Sequence, residues 1–235
     1  MPSYDIIGDI HGCATELKTL LAQLGYRPDD AGVYRHPERT AVFVGDLVDR
    51  GPGQLEGLEI VKAMVDHAGA HIVMGNHEFN AICYATPHPD KPGDFLRSHE
   101  SPTNTAHHLA FLEQLTAERR EHYIEWFKTL PLWLDLGGIR VIHACWNHDS
   151  MKVVTDATGG NRLTDLQHYV DASTKGRRLH EGQPALRCCR DTAQGTGDQS
   201  PGLRTTPVPR PRRQGPHQGS RPLVGCGRTH AAPAR

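Results

Sequence analysis

Three short segments of this 235-residue chain place metal-capable side chains directly after a glycine. They are Gly8-Asp9-Ile10-His11-Gly12, Gly45-Asp46-Leu47-Val48-Asp49-Arg50-Gly51 and Gly75-Asn76-His77-Glu78. Each closes a short apolar run, and a fourth run ends at His143. Carboxylate, amide and imidazole side chains suit divalent first-row ions such as Mn, Fe or Zn. Two such ions roughly 3.5–4 Å apart can clamp a phosphoryl group and activate water. A carboxylate with two oxygens can bridge the pair. Glycine lets the backbone turn sharply and approach a ligand closely, and Arg50 offers a fork for phosphate. Asp9, Asp46 or Asn76 alone reads as a turn residue. The three segments together, in this order, read as a two-metal hydrolytic site. His77-Glu78 does not extend to the HExxH spacing of a zinc protease, because Ala81 stands where the second His is needed.

The elements that must position these residues are legible in the hydrophobic pattern. Tyr4 to Gly8 is a strand-like run. Leu17, Leu20, Leu21 and Leu24 then recur at i, i+3, i+4, i+7, which predicts an amphipathic helix stopped by Gly25. Ala41 to Val44 is a second buried strand, Leu55, Leu58, Val61, Met64 and Val65 mark a second helix, and His71 to Met74 is a third strand. Strand, helix, strand, helix, strand predicts an α/β fold with parallel strands. In such sheets ligands bind outside the carboxyl ends of the strands, where the three glycine segments would converge. Further on, 87–102 reads as a loop and 106–115 and 118–130 as helices, the second with Trp126, Phe127 and Leu130 on one face. Two apolar runs, 132–136 and 139–143, flank Gly137-Gly138 as a hairpin would. One more helix is expected over 163–170.

Composition divides the chain. Residues 1–176 carry 15 Lys+Arg against 24 Asp+Glu, whereas residues 177–235 carry 11 Arg, no Lys and 3 Asp+Glu. The formal net charge of −1 is therefore a cancellation and does not identify partners. The last 59 residues hold 8 Pro and 8 Gly and no Phe, Trp, Tyr, Ile, Met, Lys or Asn. Such a segment cannot bury enough apolar surface to offset its ordering entropy. The expected organisation is a catalytic domain over 1–176 and an Arg/Pro/Gly-rich tail over 177–235 that is disordered or translated out of frame. The tail lacks aromatic residues for stacking on bases, so nucleic-acid binding is not expected. No apolar run reaches the roughly 18–20 residues that span a bilayer, and no basic or apolar leader precedes Tyr4. Six Cys without CxxC spacing are expected to be reduced thiols in the cytoplasm.

These segments resemble the signature of the calcineurin-like metallophosphoesterases. Within that superfamily they are similar to the branch of the Ser/Thr protein phosphatases and the bacterial diadenosine tetraphosphatases, as is the Leu130-Pro131-Leu132-Trp133-Leu134 stretch. The resemblance runs over roughly residues 4–150. It implies a four-layer αββα sandwich, here cut short at its C-terminal strands. It also implies two divalent ions, Mn first, with Fe, Zn or Ni as alternatives. Asp9 and His11 would bind the first ion, Asp46 would bridge, and Asn76 and His143 would bind the second. His77 would be the general acid, oriented by Asp49, and Arg50, Asn76 and His77 would contact phosphate. The substrate would be a phosphorylated small molecule, a nucleotide or a phosphoprotein.

The family adds a further His in a Gly-His segment after His143. No Gly-His dipeptide occurs in this chain, and His180, His217 and His230 stand in other contexts. A crippled homologue that binds phosphate or nucleotide without turnover is therefore the alternative. Among the 16 His, His88, His99, His107, His108 and His122 receive no role. His148 and Asp149 read as loop, Glu78 as structural, and Cys13 and Cys145 as packing residues.

Overall fold

The computed structural model describes residues 3–173. The Arg-rich segment, with His180, His217 and His230, lies outside them. β1 (Ser3–Ile7) leads into α1 (Ala14–Leu24), then a small antiparallel pair, β2 (Arg27–Pro28) with β3 (Tyr34–Arg35). β4 (Arg39–Phe43), α2 (Gln54–His67) and β5 (His71–Ile72) complete the expected alternation. The strands form a parallel sheet in the order β1-β4-β5, with Ile7 opposite Phe43 and Phe43 opposite Ile72. Parallel pairing in this register brings Gly8, Val44 and Val73 out at one edge of the sheet. The sheet therefore delivers all three glycine segments to one place.

Side chains alternate across the strands. Ile7, Ala41, Phe43 and Ile72 face one way and join Leu17, Leu21, Leu58, Val61 and Met64 of α1 and α2 in the main core. Val42 and Val73 face the other way and meet Val141 in a second, smaller core, edged by Tyr4, Val44, Leu134 and Leu136. That side is covered by the hairpin of β6 (Trp133–Asp135) and β7 (Arg140–Ile142). Gly137 and Gly138 make its turn with φ of 73° and 149°, a pair of positive angles that calls for glycine. Among the described residues this second sheet has two strands. Ile6, on the hairpin side by alternation, is 51% exposed.

Three helices extend the main core. α3 (Asn76–Ala85) starts at the third glycine segment, α4 (Pro102–Gln114) carries Phe111, and α5 (Ala117–Lys128) carries Tyr123, Trp126 and Phe127. α6 (His148–Thr158) and α7 (Leu166–Ser173) follow the hairpin. Two of these helices escape the sequence pattern. α3 begins inside a motif that masks its start. α6 begins at His148 and Asp149, which read as loop, although Asn147 caps it by accepting from the Ser150 amide at 2.8 Å.

Candidate metal centre

The loops after β1 and β4 are joined backbone to backbone. The amides of Ile10 and His11 donate to the Asp46 carbonyl at 3.0 and 2.9 Å, Gly12 donates to Leu47 O at 2.7 Å, and Gly51 donates to His11 O at 2.7 Å. The loops after β4 and β5 touch through glycine: a β-carbon on Gly75 would overlap the Asp46 amide and carboxylate, and one on Gly45 would overlap the Gly75 backbone. Glu78, on the first turn of α3 and fully buried, ties the same loops. Its Oε2 accepts from the amides of Asp46 (2.8 Å) and Gly75 (2.9 Å), and its Oε1 from Leu47 (2.7 Å). Burial and the Asp46 carboxylate push its pKa up, and the three amides pull against them. His11, Asp46, Asp49 and Arg50 all have positive φ, between 47° and 75°. Four non-glycine residues in that region within the glycine segments are strained backbone held by its surroundings.

This scaffold points acceptors at one another. His11 Nδ1 lies 2.9 Å from the Val48 carbonyl and His143 Nδ1 lies 2.7 Å from the Val44 carbonyl. A carbonyl can only accept, so each Nδ1 carries the proton and each Nε2 presents a lone pair. His11 Nε2 faces Asp9 Oδ2 at 3.7 Å and Asp46 Oδ2 at 3.9 Å. His143 Nε2 faces Asp46 Oδ2 at 3.5 Å and Asn76 Oδ1 at 3.0 Å. His11 Nε2 is buried without a hydrogen-bond partner. An orphaned buried lone pair among carboxylates is costly unless a cation completes the set. The donor set thus fits the metal ions that this fold implies. By distance alone, ligand atoms fall into two groups that share Asp46: His11, Asp46 and His77, and Asp9, Asp46 and His143, each within 4.8 Å.

His77 stands beside this centre with its other nitrogen engaged. Nδ1 donates to Asp49 Oδ2 at 2.6 Å, Nε2 is 3.9 Å from Asp46 Oδ2, and the backbone amide donates to Asp46 Oδ1 at 2.9 Å. Burial depresses the His77 pKa, but the Asp49 hydrogen bond and the carboxylates of Asp46, Asp49 and Glu78 outweigh it, and the net shift is upward. Burial raises the Asp49 carboxyl, but hydrogen bonds from His108 and His77 hold it below the usual range. Arg50, next in the chain after Asp49, is exposed.

Asp9, His11, Asp46, Asp49, Asn76, His77 and His143 are thus brought together, and Arg50 follows Asp49 directly in the chain. Two partners were not read from the sequence. His108 Nδ1, from α4, donates to Asp49 Oδ1 at 2.9 Å. Gln54 is fully buried, accepts from the Asp49 amide at 2.9 Å and donates to Gly51 O at 2.9 Å. The available signal for His108 was its place three residues before Phe111 on the buried stripe of a helix. Beside Asn76 and His143 lies a narrow apolar cleft, walled by Met74, Phe79, Leu132, Ile142, Met151 and Val154 among others.

A parallel sheet that gathers carboxylate, imidazole and amide acceptors at its strand ends defines a candidate metal centre. The chain belongs to the calcineurin-like phosphoesterases, whose family model matches residues 3–194. Its relatives include proteins named asymmetrical bis(5'-nucleosyl)-tetraphosphatase PrpE. That of Oceanobacillus iheyensis is 35% identical over 60% of this chain and 54% of its own length, and that of Geobacillus thermodenitrificans 38% over 62% and 58%. That of Bacillus subtilis is 32% identical over 79% of this chain and 72% of its own length. The chain thus spans little more than half the length of the first two.

Proposed function

We propose that this chain hydrolyses a phosphoanhydride bond with the help of two divalent cations, and that its substrate is a dinucleoside polyphosphate. The observation that carries the reading is the convergence of acceptor atoms on Asp46, with His11 Nε2 buried and unpartnered among them. Asp9, His11 and Asp46 would hold one ion, and Asp46, Asn76 and His143 the other, Mn being the first candidate and Fe, Zn or Ni the alternatives. When bound, the ions would polarise the phosphoryl oxygens and lower the pKa of water toward about 7.

The chain's own residues supply the rest. His77 directs Nε2 into the centre while Asp49 fixes the ring through Nδ1. A nitrogen so held can carry a proton to the leaving oxygen. We assign Nε2 to proton delivery, because the Nδ1 partner of His77 is the Asp49 carboxylate, which favours the protonated ring, whereas His11 and His143 face carbonyls. Arg50, with Asn76, would hold phosphate oxygens. The apolar wall beside Asn76 and His143 would contact a nucleoside adjoining the phosphates. That cleft and the names of the relatives favour a nucleotide over a phosphoprotein. No helix among the described residues is long and apolar enough to cross a membrane. The compartment proposed is the cytoplasm, where a thiol such as that of Cys13 stays reduced.

The test is turnover of diadenosine tetraphosphate and of a phosphopeptide with Mn, with Asp46→Asn as control. Faster metal-dependent turnover of the dinucleotide is expected. Preference for the phosphopeptide would reassign the substrate, and no turnover of either by the wild type would leave a binding protein.

A further inference from the structure

The Asp49 carboxylate serves two imidazoles. Oδ2 accepts from His77 at 2.6 Å and Oδ1 accepts from His108 at 2.9 Å. Its backbone amide is held by Gln54 Oε1, and its φ is 72°. Asp49 and His108 are 2% and 4% exposed. An Asp–His pair by itself leaves one carboxylate oxygen free and the carboxylate able to turn about its last bond, and the partner ring turns with it. Here both oxygens are engaged. The second donor comes from a helix 59 residues away in sequence. His108 is itself wedged between the Tyr84 and Phe111 rings, at centroid distances of 5.2 and 4.9 Å. Phe111 belongs to the main core. The chain His108–Asp49–His77 therefore ties the active ring to the packed interior.

We propose that His108 is a positioning residue: by holding Asp49 Oδ1 it fixes the plane of the His77 ring, so that Nε2 points at the leaving oxygen. The inference rests on the reading of His77 as proton donor. Proton delivery matters for a poor leaving group and little for a good one. The effect of His108 is thus selective for the leaving group, whereas a role in packing alone would lower turnover of all substrates alike.

The experiment compares phenyl phosphate with p-nitrophenyl phosphate in wild type, His108→Leu and His108→Asn, with Mn. His108→Leu keeps the apolar contacts and removes the donor. It should lower kcat about 10-fold on phenyl phosphate and less than about 3-fold on p-nitrophenyl phosphate, with KM little changed. His108→Asn, whose amide nitrogen can stand where Nδ1 stands, should restore most of the phenyl phosphate rate. Equal losses on both substrates, a loss confined to KM, or no rescue by Asn would overturn the proposal. A second readout needs no turnover. In the metal-free protein, the downfield proton NMR signal of His77 Nδ1–H, assigned by its loss in His77→Asn, should move in His108→Leu and return in His108→Asn. An unmoved signal contradicts the link. If the wild type hydrolyses neither ester, the reading of the function still stands or falls on diadenosine tetraphosphate, and the NMR arm decides whether His108 positions His77. If His108→Leu does not fold, His108→Asn with His108→Gln, whose amide falls at the Nε2 position instead, makes the same comparison, and equal behaviour of the two would overturn it.

Discussion

The two ends of the centre use one device in different surroundings. At each, an imidazole gives its Nδ1 proton to a carbonyl of the segment after β4 and turns Nε2 toward Asp46 Oδ2. The His11 end is buried, its loop stitched to the next by five amides, those of Ile10, His11, Gly12, Gly51 and Gly53. The His143 end is half-buried, hangs from a three-residue strand, and borders an apolar cleft. The same ligand chemistry is thus built once into a rigid core and once onto a thin second layer. The difference teaches that the proposed ion positions would be separable: the first would depend on the parallel sheet, the second on what covers the hairpin side.

Asp46 is common to both ends, so changing it should erase the contrast. Asp46→Asn should lower kcat/KM by about 10³-fold or more. A chelator should do the same to the wild type, reversibly on adding Mn. Turnover kinetics check both. Next in size, His143→Ala should weaken the outer position at least about 10-fold while leaving the inner one occupied, whereas His11→Ala should strike the inner position. Metal analysis by stepwise titration separates them, and equal effects of the two substitutions would break the comparison. Gly75→Ala tests the shared wall: its β-carbon collides with Asp46, so unfolding in urea should show a loss of about 1–3 kcal/mol. Smallest is Met151→Glu, which places a charge on the wall of the cleft. It should raise KM for diadenosine tetraphosphate several-fold and leave p-nitrophenyl phosphate unchanged.

The inner end was almost fully legible in the sequence. Short apolar runs, two helices of clear period and glycine at the strand ends specify where Asp9, His11, Asp46 and His77 must meet. The link from His108 to Asp49 was not legible, because nothing local marks which polar residue on a core-facing helix stripe will find a buried carboxylate on another element. Gln54 escaped for the same reason. The β2–β3 pair also went unread: each strand is two residues long, too short for any period. It is held by the intervening turn, in which Asp29 Oδ1 accepts from the Ala31 and Val33 amides at 3.0 and 2.9 Å. The hairpin was read from Gly137-Gly138 because positive φ leaves a chemical trace in sequence. The residue that would complete the outer end was sought in a Gly-His segment that the chain does not contain. Reading the gene around codon 176 in all frames tests whether such a segment is encoded there: we propose that one alternative frame continues the apolar strands, and its absence in both would contradict this.

The central claim is that acceptors converging on Asp46 bind a pair of divalent ions. Calorimetric titration of the metal-free protein with Mn tests it most directly. The account predicts two ions per chain, the tighter at the His11 end, and the loss of both in Asp46→Asn. No binding to the wild type, or two ions bound undiminished by Asp46→Asn, would contradict it.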